Sequence, residues 1–144
     1  MARFRQDVKV SRLKALPLFD DLSRRELVEV ARLTDDLEVP DGAVLCQEDS
    51  RGDEVFVIIE GEAAVTRGDE QLATLRSGDF FGEIAVVEPM RRTATVTAVT
   101  PLRFFVVSER AFRSLLDTSP AIERKVLRTL ARRLASLSDR SALM

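Results

Sequence analysis

The middle of the chain, residues 37–107, consists of short apolar runs separated by turn residues at intervals of about ten residues. The turns carry Gly, Pro, Asp and Ser, which favour tight reversals, as in Pro40-Asp41-Gly42. This spacing favours an antiparallel sandwich or jelly roll over a fold of alternating strands and helices. It predicts strands over Leu37–Val39, Ala43–Gln47, Val55–Ile59, Ala63–Arg67, Gln71–Leu75, Thr93–Val99 and Leu102–Val107.

Helical patterns flank these strands on both sides. Before them, in residues 8–34, Ser23 is followed three residues later by Glu26, which is a capping-box pattern at the start of an apolar stripe. Pro17 separates this helix from a shorter segment nearer the N-terminus. The region 8–34 is therefore predicted to be helical.

After the strands, residues 108–141 are again predicted to be helical. The first helix starts after Ser108, and a second one starts where Ser119 caps a helix that has Pro120 in its first position. We therefore expect a mainly β fold with flanking helices. Its centre is an antiparallel β-roll, of the double-stranded β-helix or jelly-roll type, over residues 35–107, with N-terminal helices before it and C-terminal helices after it.

Apolar residues of the last helix repeat as a heptad seam, over Leu127, Leu130, Leu134, Leu137 and Met144. The seam is shorter than three heptads, which is little for a self-sufficient coiled coil. We expect the stripe to pack onto the β-roll, with a homodimer through the same helix as the alternative. The two arrangements are compatible if opposite edges of the helix are used.

Composition places all 144 residues in one domain, 1–144, because a chain with 45% hydrophobic residues can build a single core of this size. Its 22 basic and 24 acidic residues give a net charge of −2, which offers no general argument for nucleic acid or a membrane as partner. The N-terminus lacks an apolar signal region, and the longest strong apolar run, Val55–Ile59, is too short for a membrane span. We expect a cytoplasmic protein. Cys46 is the single cysteine, so no internal disulfide is possible.

The sequence contains no histidine. This excludes imidazole metal ligands, histidine-activated nucleophiles and histidine general acid-base chemistry. We therefore expect no enzyme, no metal site and no catalytic cofactor.

The residues that point most clearly to a binding site follow the predicted strand Gln71–Leu75. Gly82 permits close approach of an anion, and the free backbone N–H groups of a short helical turn after it would point at the same place. A guanidinium from the Arg91-Arg92 pair would bind that anion through parallel N–H···O bonds. Glu83 would repel the anion unless it faces a donor such as a ribose hydroxyl. The pattern predicts a site for a compact monoanion that carries hydroxyl groups.

Two segments, Phe81-Gly82-Glu83-Ile84-Ala85 and Arg92-Thr93-Ala94-Thr95, resemble the phosphate-binding cassette of cyclic nucleotide-binding domains. That family includes bacterial catabolite activator proteins, cAMP- and cGMP-dependent protein kinases and cyclic nucleotide-gated channels. Its pattern is Phe-Gly-Glu-(Leu/Ile)-Ala, a variable turn, and Arg-(Ala/Thr/Ser)-Ala-Thr. The resemblance covers nearly the whole chain, because the last helix is similar to the family's C-helix and the turn glycines fall where its β-roll has them, at Gly42, Gly52, Gly61 and Gly78.

The resemblance implies a phosphate site and a fold like that of the family. Arg92 would pair with the exocyclic phosphate oxygens. The turn that begins at Ile84 and the backbone amides of Ala85 and of Arg92 or Thr93 would complete the anion site. Arg91 would then be a solvent-facing neighbour.

The resemblance also implies where ribose and base lie. Gly82 and Glu83 would bind the ribose 2′-hydroxyl. Thr93 stands where a hydroxyl in the family can reach the guanine amino group, but bacterial cAMP binders also carry Thr or Ser there, so this position leaves selectivity open. We expect cAMP as the preferred ligand, with cGMP as the alternative. The residues that would form the base pocket or its wall are Val65, Leu72, Ala73, Leu137 and Ser138.

The implied function is a regulatory sensor that binds a cyclic nucleotide and signals by movement of its C-terminal helix. Its partner would be an unknown effector protein or a second subunit. One alternative is a cyclic nucleotide fold with a degenerate pocket that serves interaction or dimerisation. The other is a cupin-like metalloenzyme, which the absence of histidine disfavours.

Overall fold

The computed structural model describes residues 2–84, 88 and 90–141, with the side chains of residues 5–84, 88 and 90–136. It begins with helix α1 (Ala2–Lys14), a 3-10 turn (Pro17–Phe19) and helix α2 (Arg24–Arg32). The strands that follow are β1 (Thr34–Val39), β2 (Val44–Cys46), β3 (Val55–Glu60), β4 (Ala63–Arg67), β5 (Glu70–Leu75), β6 (Phe80–Phe81), β7 (Thr95–Ala98) and β8 (Leu102–Val107). The last helices are α3 (Glu109–Thr118) and α4 (Pro120–Ser141).

The strands form two four-stranded antiparallel sheets, in the orders β1-β8-β3-β6 and β2-β7-β4-β5. Because side chains of a strand alternate between faces, β8 gives Phe105 and Val107 to a cluster with the helices. Its residues Phe104 and Val106 belong to a second cluster between the sheets. The predicted antiparallel β-roll with flanking helices is confirmed.

All seven predicted strands are present, five of them with shifted ends, and β6 was not predicted. Its two residues, Phe80 and Phe81, are both buried and pair with β3, but two residues show no alternation from which a strand could be recognised. The Phe81 ring stacks on Phe56 with centroids 4.8 Å apart. This contact fixes the end of β6, from which the chain enters Gly82.

The predicted helix starts near the β-roll are confirmed. Glu26 N–H donates to Ser23 Oγ at 3.2 Å, and Ser23 N–H donates to Glu26 Oε1 at 2.9 Å, which completes the capping box. Ser119 Oγ accepts from Ile122 N–H at 3.3 Å at the start of α4. The N-terminal region differs, because its first helix begins at Ala2 rather than near residue 8.

The apolar seam of α4 lies differently from the prediction. Leu130 packs against the helix-side cluster, but Leu127 and Leu134 are 60% and 65% exposed. Burial follows the row Ile122, Val126 and Leu130, because residues four apart share one face of a helix. The expected packing of the heptad stripe onto the β-roll is therefore wrong for Leu127 and Leu134. Two other seam residues lie outside the described side chains: Leu137 and Met144.

The N-terminal turn holds the start of α4 in place. The Lys125 ammonium binds the Asp20 carboxylate and the Pro17 carbonyl, and it lies 3.1 Å from Asp21 Oδ2. Lys125 is partly buried and connects the turn after α1 to helix α4. None of the described helices is both long enough and apolar enough to cross a bilayer.

Candidate functional site

A cavity of about 220 Å³ lies between the β2-β7-β4-β5 sheet, the turn after β6 and helix α4. Its lining brings together predicted site residues from distant parts of the sequence, namely Gly82, Glu83, Ile84, Arg92, Thr93, Val65, Leu72 and Ala73. Three other predicted site residues cannot be placed there: Ala85 lies outside the described residues, and Leu137 and Ser138 lie outside the described side chains.

Arg92 is a cation of the cavity wall, and its side chain is buried. Its residue is 7% exposed. Nη1 donates to the Gly82 carbonyl at 3.1 Å and Nη2 to the Glu54 carbonyl at 3.0 Å. A guanidinium has five N–H donors, so three remain after these two bonds. The two carbonyls hold the Arg92 guanidinium in place, and its remaining N–H groups are available to a ligand.

No ion pair of the described residues includes Arg92. Its two hydrogen-bond acceptors are neutral carbonyls. A buried charge is costly unless an opposite charge compensates it. The cavity is therefore electrostatically suited to an anionic group placed against this guanidinium.

The backbone around Arg92 sets which of the paired arginines faces inward. Asp49 N–H donates to the Arg92 carbonyl at 2.9 Å, and Arg92 N–H donates to the Ser50 carbonyl at 2.8 Å. Arg91 is exposed, and its Nη1 donates to the Asp49 carbonyl at 2.9 Å. Because the Arg92 N–H is already bonded to the Ser50 carbonyl, the structure favours Thr93 over Arg92 as the alternative backbone donor, and its role toward an anion stays a prediction.

Two glycines lie where an added side chain would displace the Arg92 guanidinium. At Gly82, φ is +93°, and an added Cβ would stand 2.5 Å from the Glu54 carbonyl oxygen and 2.8 Å from Arg92 Nη1. At Gly52, an added Cβ would stand 2.5 Å from Arg92 Nη2 and 2.8 Å from its Cζ. Real Cβ atoms do not approach other atoms this closely, so both glycines are required for the position of the guanidinium.

Glu83 is the most deeply buried charged residue of the cavity wall, at 1% exposure. Oε1 accepts from Arg133 Nη1 at 2.5 Å, whereas Oε2 has no hydrogen-bond partner among the described residues. Burial raises the pKa of this carboxyl group, and the nearby cations of Arg133 and Arg92 oppose the rise. The unpaired oxygen is a free acceptor for a donor that enters the cavity.

Sequence reasoning missed Arg133. Its guanidinium also donates to the Phe80 carbonyl and lies over the Phe80 ring, 5.3 Å from the centroid. The only sequence signal was indirect: a buried glutamate needs a cationic partner, but spacing does not tell which arginine of α4 supplies it. Ser136 of the same helix also lines the cavity and was missed.

The far side of the cavity is apolar. Val65 of β4 and Leu72 and Ala73 of β5 form this wall. Cys46 lies beside them, and burial raises the pKa of its thiol. At the rim, Arg67 Nε donates to the Thr93 carbonyl at 2.9 Å. The cavity thus has a cationic end, a carboxylate acceptor next to it and an apolar wall, which suits a ligand with an anion, a hydroxyl and a flat apolar group.

The sequence matches the family model described as cyclic nucleotide-binding domain over residues 36–119, which is more than half of the chain. It is 35% identical over 119 residues to a cyclic nucleotide-gated potassium channel of Rhizobium etli, covering 83% of this chain and 33% of the channel. It is 40% identical over 120 residues to the Pycsar effector protein PaPycTIR of Pseudomonas aeruginosa, covering 83% of this chain and 38% of that protein. The chain thus spans little more than a third of these relatives.

Two solved structures support the fold. The cAMP-bound PfPKA-R superposes with a TM-score of 0.87 at 23% identity, covering 96% of this chain and 48% of that chain. A cyclic nucleotide-binding domain from Methylobacillus flagellatus superposes with a TM-score of 0.71 at 26% identity, covering 97% of this chain and 82% of that chain. Together with the family match, these similarities show that the chain belongs to the cyclic nucleotide-binding domain family.

Proposed function

We propose that this chain is a regulatory module that binds a 3′,5′-cyclic nucleotide in the cavity around Arg92, with cAMP preferred over cGMP, and that it has no catalytic activity of its own. The observation that carries the proposal is the buried Arg92 guanidinium, which has only neutral acceptors among the described residues. A cyclic phosphate is a compact monoanion that would compensate this charge through two parallel hydrogen bonds.

The ribose would lie against Glu83. Its Oε2 is buried without a partner among the described residues, and a ribose 2′-hydroxyl donating to it would remove the cost of that unpaired oxygen. Gly82 also lines the cavity. Because it has no side chain, the ribose can approach its backbone closely.

The base would lie on the apolar wall of Val65, Leu72 and Ala73. This wall offers a surface for either purine, so selectivity depends on polar groups at its edge, of which Thr93 is one. The preference for cAMP is supported by relatives named as a cAMP-dependent protein kinase regulatory subunit of Yarrowia lipolytica and a CRP-like cAMP-activated global transcriptional regulator of Mycobacterium tuberculosis.

The signal would leave through helix α4, which contributes Arg133 and Ser136 to the cavity. A ligand shifts the helix only by as much as its affinity differs between the docked and undocked positions. The partner that responds to this movement would be an unidentified effector protein or a second copy of this chain. The exposed Leu127 and Leu134 would supply the contact surface in a helix-mediated homodimer.

Titration calorimetry with cAMP, cGMP and 5′-AMP tests the proposal. We expect saturable heat with cAMP, weaker binding of cGMP, and little binding of 5′-AMP, whose open phosphate carries an additional charge and lacks the cyclic shape. If no cyclic nucleotide gives heat or raises the melting temperature, the pocket is degenerate and the interaction-module alternative holds instead.

Removing the ligand's 2′-hydroxyl is expected to weaken binding about tenfold to about a hundredfold, because a hydrogen bond to a charged group contributes about 1.5–3 kcal/mol. The comparison is 2′-deoxy-cAMP against cAMP on the same protein. In a Glu83→Ala variant the two ligands are expected to bind alike, because the acceptor is gone. A wild-type protein that does not distinguish the ligands would contradict the assignment of Glu83.

Gly52→Ala is expected to weaken cyclic nucleotide binding by about tenfold, or about 1.4 kcal/mol. The new methyl group would displace the Arg92 guanidinium, because the added Cβ would lie 2.5 Å from Nη2 and 2.8 Å from Cζ of Arg92. Thermal unfolding should change little, because the displaced atoms end a flexible side chain. In an Arg92→Ala background the same substitution should have no further effect on affinity, and an additive loss would be evidence against this cause.

A further inference from the structure

A second groove lies next to the nucleotide cavity, between the 3-10 turn, the turn before β6 (residues 77–79) and helix α4. It has a volume of about 550 Å³, and it shares only Leu75 and Arg133 with the described lining of the cavity. Its base is apolar, whereas its α4 side is basic. The apolar residues are Pro17, Leu18, Leu75 and Phe80, and the basic residues are Lys125, Arg128, Arg132 and Arg133.

Two of the four cations have no carboxylate partner among the described residues. Lys125 and Arg133 each form ion pairs with acidic residues of the fold. Arg128 and Arg132 are exposed and belong to no ion pair between described residues. Arg132 makes one described hydrogen bond, to Thr129 Oγ1 at 3.4 Å. This side of the groove therefore carries positive charge that the described part of the fold does not neutralise.

The spacing of these two arginines suits a peptide that carries carboxylates. Arg128 and Arg132 are four residues apart on one helix face, which is about 6 Å along the axis. Like charges at this spacing destabilise a helix, so anions placed beside them would be stabilising. Side chains of alternate residues in an extended peptide lie on one side, about 6.6 Å apart. Carboxylates at alternate residues of such a peptide would therefore match the two guanidinium groups.

The opposite side of the groove favours a peptide over a nucleic acid. Asp79 lines this side, and its Oδ2 accepts from the Arg76 N–H at 2.8 Å. No ion pair between described residues includes Asp79. Its carboxylate would repel a chain that has a phosphate in every unit, whereas a peptide can place neutral residues beside it. The apolar base would contact the apolar side chains of that peptide.

We propose that this groove is a docking site for an acidic, extended peptide segment of a partner protein. Two of its carboxylates would pair with Arg128 and Arg132, and its apolar side chains would lie on the base of the groove. This inference goes beyond the proposed function, because it assigns a second surface and the chemistry of its partner, and it requires no bound nucleotide. Since the arginines are exposed, salt should screen the interaction.

The test uses the full chain without nucleotide and a fluorescently labelled peptide in which glutamate alternates with valine. Fluorescence anisotropy measures its binding to the wild-type protein, to the double variant Arg128→Ala/Arg132→Ala and to Arg124→Ala. Arg124 is the matched control, because it is an exposed arginine of the same helix and is not among the described residues that line the groove. A peptide with lysine in place of glutamate tests the sign of the charge, and circular dichroism confirms that each variant is folded.

We expect saturable binding of the acidic peptide, a loss of about tenfold in the double variant, and wild-type affinity in Arg124→Ala. Binding should weaken as the salt concentration rises from about 0.05 M to about 0.5 M, and the lysine peptide should not bind. Absence of binding by the acidic peptide, or an equal loss in Arg124→Ala, would overturn the proposal.

Two further outcomes would assign the groove to another occupant and would also overturn the proposal. One is tighter binding of a labelled single-stranded oligonucleotide that depends on Arg128 and Arg132. The other is self-association of the chain, measured by sedimentation, that the double variant abolishes. None of these results depends on nucleotide binding, so the docking site and the proposed function can fail separately.

Discussion

Replacing Arg92 by alanine is expected to weaken cyclic nucleotide binding by about thirtyfold to several thousandfold. Truncating one member of a buried charge pair costs about 2–5 kcal/mol, and each 1.4 kcal/mol is about a factor of ten in affinity. Arg92 is buried, forms no ion pair with a described residue, and has three N–H donors beyond the two that bind carbonyl oxygens. Calorimetric or competition titration with cAMP measures the loss.

Arg91→Ala is the matched control for this loss. It removes the same charge from the adjacent position, but Arg91 is exposed and its guanidinium donates to the Asp49 carbonyl. We expect a change in affinity of less than about threefold, because exposed charges contribute little. Equal losses from the two variants would show that binding depends on the net positive charge of the Arg91-Arg92 pair rather than on the Arg92 guanidinium.

Gly82→Ala is expected to abolish measurable binding and to destabilise the fold. A non-glycine residue at φ +93° costs about 1–3 kcal/mol, and the added Cβ would also stand 2.5 Å from the Glu54 carbonyl and 2.8 Å from Arg92 Nη1. The Glu54 carbonyl and the Arg92 guanidinium would have to shift. These two groups are hydrogen-bonded to each other, so the shift would disturb the position of the guanidinium. Cyclic nucleotide titration and thermal unfolding measure the two effects.

Gly42→Ala separates backbone strain from contact. Gly42 has φ +91°, nearly the value at Gly82, but an added Cβ there meets nothing within 4 Å. This variant should lose stability through strain alone and keep its affinity. If Gly82→Ala bound cyclic nucleotide as well as Gly42→Ala, close approach at Gly82 would not be what forms the site.

The features that were predictable from sequence are those determined by neighbouring residues. The capping box of Ser23 and Glu26 lies within four residues, and strand β4 has the predicted bounds because turn residues delimit it at both ends. The segment of Gly82, Glu83 and Arg92 was recognisable because the order and spacing of its residues match a family pattern. The roles of these residues toward a ligand stay predictions.

The features that were not predictable depend on distant parts of the chain. A heptad seam looks the same whether a helix packs on its own domain or faces outward, so the exposure of Leu127 and Leu134 was not visible in the sequence. The partner of Glu83 lies fifty residues away in sequence, at Arg133, and several arginines of α4 fit that role by composition. Only the orientation of α4 on the fold distinguishes them.

We expect Arg92 to bind the phosphate of a cyclic nucleotide in this cavity. A crystal structure of the protein with cAMP tests it most directly. We predict that an exocyclic phosphate oxygen lies about 2.7–3.2 Å from a guanidinium nitrogen of Arg92, with the 2′-hydroxyl at similar distance from Glu83. A nucleotide bound elsewhere, or a phosphate in this cavity that makes no contact with Arg92, would contradict the account.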